Sequence, residues 1–220
     1  MSEAQTLGTP APSNVLGTLT EFDGRSIRVA VHELGHAVLA TRYGRPVGEV
    51  ILNPLAIDGG ISGSTELTPG RRRLFRYDRK LGGYSPDAAL RREAWIDALI
   101  LLAGRTAEDL FFGGHFKDSD AHDLEDAVPK LMVARPAVNL PTSEKECVLK
   151  AGRDLFSTKC LETIIVMMPT LLREARVSGA AIRRCYRARS RKIDGVDAFL
   201  DHCRLIGKRD LDSNRVGGEK

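Results

Sequence analysis

Between Asp23 and Gly44, apolar side chains fall at Ile27, Ala30, Val31, Leu34 and Val38. That three-and-four spacing predicts one buried helix face. Asp23 is a suitable N-cap, Gly44 a stop just past the last turn, and Pro46 bars extension. The period then changes. "VGEVILNP", residues 47–54, is rich in β-branched residues, closes on proline and predicts a strand. "GGISGSTEL", residues 59–67, predicts a second strand weakened by glycine. Ser85–Pro86 reads as an N-cap followed by proline at the first helical position. The helix it opens runs toward Gly113–Gly114, with Gly104 as the place where it would break. "DSDAHDLEDAV" opens another helix, its acidic first turn matching the dipole, and Pro129 is expected to kink or end it. Ser143 with Glu146 makes a capping box. The helical stretch after it runs through "CLETIIVMM", bends at Pro169 and stops near Gly179. The fold expected is mainly α, with a small β element of one or two short strands after the first helix.

The flanks lack this patterning. Residues 1–20 are rich in Thr, Pro, Ser and Gly and predict a flexible arm. Residues 21–195 form the expected domain, and 196–220 a partly disordered tail ending in "DSNRVGGEK". "TPGRRRLFRYDRKLGGYS", residues 68–85, reads as a basic loop or a disordered lid. A chain of 220 residues is long enough for one substantial core. Its net charge of +4 is mildly basic, short of a dedicated nucleic-acid binder. The basic run 183–192 comes without a base-reading motif and reads as a solvated helix end or a partner-binding face. The four cysteines are far apart and read as reduced thiols. The most apolar stretch, "AWIDALILLAG", contains Asp97 and is too short to span a bilayer. These features, with an N-terminus unlike a signal peptide, give the expectation of a soluble cytoplasmic protein without a membrane partner.

Chemistry enters in the middle of the first helix. "VAVHELGHAVLAT", residues 29–41, sets His32, Glu33 and His36 among residues suited to burial. Buried imidazoles and a carboxylate cost desolvation unless hydrogen bonds or a metal compensate them. His32 and His36 are one turn apart on one face, so both rings can reach one ion, while Glu33 is placed to touch a water on that ion. Gly35 allows another element to approach closely. A catalytic zinc needs a third protein ligand and one open position. A third histidine six residues on, the metzincin arrangement, is excluded because position 42 is Arg42. Glu49, Glu66, Glu93, Glu108, Asp120 and Asp123 all remain available. His115 and His122 are further ligand types, though His122 reads better as a hydrogen-bonding neighbour of Asp123.

Three segments in order carry a resemblance. "HELGHAVLA" resembles the H-E-x-G-H-A opening of the peptidase domain of FtsH-type ATP-dependent zinc proteases. "LAGRTAEDLFFGG" is similar to that family's "GGRAAEELVFG", and "SDAHDLEDA" to its "GAENDLEQA". "IIVMMPTLLREARVSGAAI" fits its last helices more loosely, so the resemblance covers roughly residues 25–185. It implies a helical zinc-peptidase domain with Asp123 as the third ligand and Glu108 near the metal behind a ligand. It also implies a protein or peptide substrate, an unfoldase or adaptor supplied separately, and room for a homo-oligomer. The chain departs from the family in having no G-x-x-x-x-G-K-[ST] phosphate loop and no membrane segments, and in reading "MVARPAVNLP" after the third-ligand helix. The expectation is a stand-alone zinc endopeptidase, with Glu33 as general base. Two rivals stand beside it. One is a regulatory metallopeptidase of the ImmA/IrrE type, which would use a downstream glutamate as third ligand. The other is a non-catalytic zinc-containing interaction module, which would have no use for Glu33.

Overall fold

A computed structural model describes residues 21–54, 61–67, 76–78, 83–85, 88–114, 121–135, 143–188 and 196–216. The first helix, α1 (Gly24–Arg42), starts where the N-cap predicts: Asp23 Oδ1 accepts from the Ser26 amide at 2.8 Å. It ends at Tyr43 with Gly44 in the left-handed region, φ 73°. Helix α1 is wrapped on nearly every side, which is why its burial runs without a break from Ala30 to Ala40.

Strand β1 (Val47–Pro54) pairs antiparallel with β2 (Ile61–Leu67) in a register that sets Leu52 against Gly63 and Val50 against Thr65. On its other side β1 pairs with β5 (Arg176–Ser178), giving the order β2-β1-β5. The inward residues Val50, Leu52 and Val177 join the core, and β2 lies against α1. A separate antiparallel pair, β3 (Arg76–Asp78) and β4 (Gly83–Ser85), falls within the expected basic loop. The rest of that loop, residues 1–20, His115, Asp120 and the residues 86–87 of the expected helix start lie outside the described residues.

Helix α2 (Ala88–Leu101) and α3 (Ala103–Phe112) are separated at Leu102, two residues before the glycine expected to break them. Helix α4 (Ala121–Ala134) packs on α2 and runs through Pro129 instead of ending there. Proline removes one amide hydrogen bond, and the packing of Ala127, Leu131 and Ala134 carries the helix past it. The capping box at Ser143 opens α5 (Glu144–Leu155), and α6 (Thr158–Glu174) follows at an angle of 76°. That break falls at Phe156–Ser157, and α6 runs on through Pro169. Helix α6 ends at Ala175, left-handed with φ 56°, whose carbonyl accepts from the Leu52 amide at 2.8 Å. That turn feeds β5, after which α7 (Gly179–Ala188) begins where a stop was expected.

The tail expected from residue 196 is instead a helix, α8 (Val196–Val216). Phe199, Leu200 and Cys203 are buried against the body, and the Phe199 and Phe111 rings meet edge to face at 6.0 Å. Three buried side chains on one helical face offset the ordering entropy that the polar composition of the segment suggested would win. The protein is therefore mainly helical with a small three-stranded antiparallel sheet, and its folded body extends past 195. Among the described residues no single helix is long and apolar enough to cross a membrane; α5 and α6 pass that test only together, across their bend.

Candidate metal centre

The ligand set grows out of four elements meeting at the middle of α1. Gly35 turns α1 toward α3, where an added Cβ would meet the Ala103 carbonyl oxygen and the Ala107 Cβ, each at 2.7 Å. The close approach expected at Gly35 is thus made by α3. The break at Leu102 matters for the same contact. The last four carbonyls of a helix lack intrahelical partners. At the end of α2, the Ile100 carbonyl accepts from His36 Nδ1 at 2.7 Å. Two turns on, Glu108 Oε1 accepts from His32 Nδ1 at 2.8 Å.

Those two bonds set the tautomers. A carbonyl and a carboxylate accept only, so Nδ1 of each ring carries the proton and each neutral Nε2 presents a lone pair. The two Nε2 atoms face one another at 3.0 Å. Asp123, in the first turn of α4, brings Oδ2 to 2.9 Å from His32 Nε2 and 3.1 Å from His36 Nε2. Three acceptors converging this closely repel unless a cation sits among them. Protein groups alone answer with a proton. Burial disfavours charge on His32, but its hydrogen bonds to Asp123 and Glu108 outweigh that and push its pKa up to about 10. Burial likewise opposes charge on Asp123, yet the two imidazoles hold its carboxyl well below the usual carboxylate range.

The same groups suit a metal ion. His32, His36 and Asp123 each offer one ligand atom, two of the three residues are buried, and together they can hold an ion. Glycine at position 104 leaves them room: a Cβ there would lie 2.5 Å from both Nε2 atoms. Charge agrees as well. Among the described residues, Glu33, Glu108 and Asp123 surround the cluster against one buried guanidinium, Arg28, leaving two negative charges that a divalent cation cancels.

Glu33 occupies the adjoining position. Strand β2 lies over it, with Gly63 so close that a Cβ would collide with the Glu33 side chain. The Thr65 hydroxyl stands 2.7 Å from Glu33 Oε2 and 3.0 Å from its backbone oxygen, able to donate to either. The structure thus brings together all five residues singled out from the sequence: His32, Glu33, His36, Asp123 and Glu108. His122 is exposed beside Asp123 and outside the cluster. Gly63, Thr65 and Arg28 went unread, and Gly104 was read only as a helix break. Only Gly104 had a signal, a glycine one turn before Glu108 on the same helix face. No protein-family model matches the chain, and no curated protein matches it.

Proposed function

We propose that this chain is a zinc endopeptidase related to the peptidase domain of FtsH-type proteases. One observation carries the reading: two Nε2 atoms and a carboxylate oxygen converge within 3.1 Å of one another, with a second carboxylate, Glu33, alongside. Among borderline-soft divalent cations zinc suits a His₂-carboxylate set, and such a set leaves a fourth position for water. When bound, zinc would acidify that water and polarise the scissile carbonyl. The chain's own residues do the rest. Glu33 takes the proton from the water and passes it to the leaving amine. Thr65 and Gly63 hold Glu33 in place, Glu108 and the Ile100 carbonyl hold the imidazoles, and Asp123 supplies a hard anionic ligand.

Strand β2 ends the sheet on the side that covers Glu33, and its outer edge pairs with no other strand among the described residues. An extended peptide adding to that edge would run past Glu33. The substrate is accordingly an unfolded or flexible protein segment in a cytoplasmic setting, with an unfoldase or adaptor supplied separately. The third ligand favours this reading over an ImmA/IrrE-type enzyme, since an aspartate completes the cluster and Glu108 sits behind His32. Glu33 favours it over a non-catalytic module, because a structural site needs no base. The test is Glu33→Gln: cleavage of unfolded casein should fall by at least about a thousandfold while bound zinc stays at the wild-type level. Wild-type protein that takes up no zinc, or a Glu33→Gln variant that still cleaves, would sink the proposal.

A further inference from the structure

Position 28 lies one turn before His32 on α1, between the core residues Ile27 and Val31. An apolar residue would continue the packing, yet Arg28 is there, only 2% exposed. Arginine is almost never buried this far without a partner. Its Nη1 donates to the Gly114 carbonyl at 3.0 Å and stands 3.8 Å from Glu108 Oε2, and its guanidinium carbon lies 4.4 Å from the centre of the Phe112 ring. Glu108, 1% exposed, divides its two oxygens: Oε1 takes the His32 Nδ1 proton and Oε2 faces Arg28. Helix α8 closes this pocket. At Gly207 an added Cβ would lie 2.6 Å from the Phe112 carbonyl oxygen and 3.2 Å from Arg28 Nη2.

We infer that Arg28 is a positioning residue of the metal centre, supplying the counter-charge that keeps Glu108 aimed at His32 Nδ1, and that α8 holds it there. The inference rests on the reading of the cluster as a metal site. A carboxylate buried without a counter-charge is strongly destabilised, whereas a paired one is tolerated. Without Arg28, Glu108 turns away, His32 Nδ1 loses its acceptor, and the ring is no longer held with Nε2 toward the ion. Groups hydrogen-bonded to a metal ligand commonly change metal affinity when altered, although they never touch the metal.

The test measures zinc affinity by chelator competition on the full chain, with a thermal melt of each variant as the folding control. Arg28→Met keeps the length of the side chain and its contact with Phe112 but removes the charge. It should weaken zinc binding about 10- to 100-fold, and Glu108→Gln should do so to a similar degree. Arg28→Lys restores charge without the planar fork and should recover affinity to within about tenfold of wild type. The double variant Arg28→Met/Glu108→Gln removes both members of the pair, so it leaves no charge mismatch between positions 28 and 108. It should bind zinc within about threefold of Glu108→Gln, because the two residues act through one bond. Wild-type zinc affinity in Arg28→Met, a lysine variant as weak as the methionine one, or a further tenfold loss in the double variant overturns the inference while leaving the metal site intact. A wild-type chain that binds no zinc overturns both.

Discussion

At the scale of the residue, the centre is a contest between a proton and a metal for the same lone pairs. His32 is pushed up to about 10, so near neutral pH an incoming divalent cation would displace a proton. Apparent zinc affinity should therefore rise about tenfold per pH unit through the neutral range, with about one proton released per ion in calorimetry run in two buffers. The sign for the zinc-stripped fold is opposite. A raised histidine pKa gives stability that is fully present below the unfolded value, near 6.5, and is lost as pH climbs through about 10. Asp123→Asn should cost more zinc affinity than Glu108→Gln, because it alters a ligand and not the group behind one. Gly104→Ala is the sharpest steric test. Its methyl would fall 2.5 Å from both Nε2 atoms, so zinc affinity should drop about a hundredfold or more, read by the same competition assay. His32, Glu33 and His36 were legible because four residues of helix bring the ligands together. Asp123 and Glu108 became legible only through resemblance, since nothing in a local window says which of six acidic residues will fold back. Thr65 and Arg28 were illegible for a related reason: each acts through a contact that only the packed fold creates.

Helices and strands show where local signals suffice. The caps at Asp23 and Ser143 form as read, because each is closed by a bond within three residues. The third strand was missed because β5 is only three residues long and is defined by a partner, β1, more than a hundred positions away. Ala175 delivers it in a left-handed conformation that costs a β-carbon-bearing residue about 1 kcal/mol. Ala175→Gly should raise stability by about 0.5–1 kcal/mol in chemical denaturation. A second junction ties the end of α1 to α5. Asp154 accepts from the Tyr43 hydroxyl at 2.5 Å, from Arg42 Nη2 at 3.2 Å and from Lys150. Burial raises the Asp154 pKa, but Lys150 and Tyr43 outweigh it and hold the carboxyl below its ordinary value. A lowered carboxyl pKa means stability present above the unfolded value and lost as pH falls through the folded one. Asp154→Asn should thus cost about 1–3 kcal/mol at neutral pH, and the difference from wild type should shrink in acid melts.

For the molecule as a whole, the helical class and the first hairpin followed from periodicity, but the extent of the body did not. Helix α8 is polar along most of its length, and only its packed face reveals that it belongs to the core. On the proposed peptidase reading, function at this scale turns on what can reach Glu33. On that reading the chain should cleave disordered or destabilised substrates and leave stable globular ones intact. Among variants of one globular substrate, rates should rise about tenfold per 1.4 kcal/mol of stability lost, and equal rates across the series would reveal an unfolding activity. The outer edge of β2 has a consequence for the protein's own life in solution. A strand that accepts a foreign peptide can equally accept another copy of itself, and chains of such pairings make aggregates. "ISGSTEL" limits this through its composition, since glycine and glutamate are poor strand formers and the segment offers little apolar surface to a second copy. On the proposed reading, an edge with so little apolar surface should also hold each substrate briefly, trading affinity for the freedom to take almost any extended sequence.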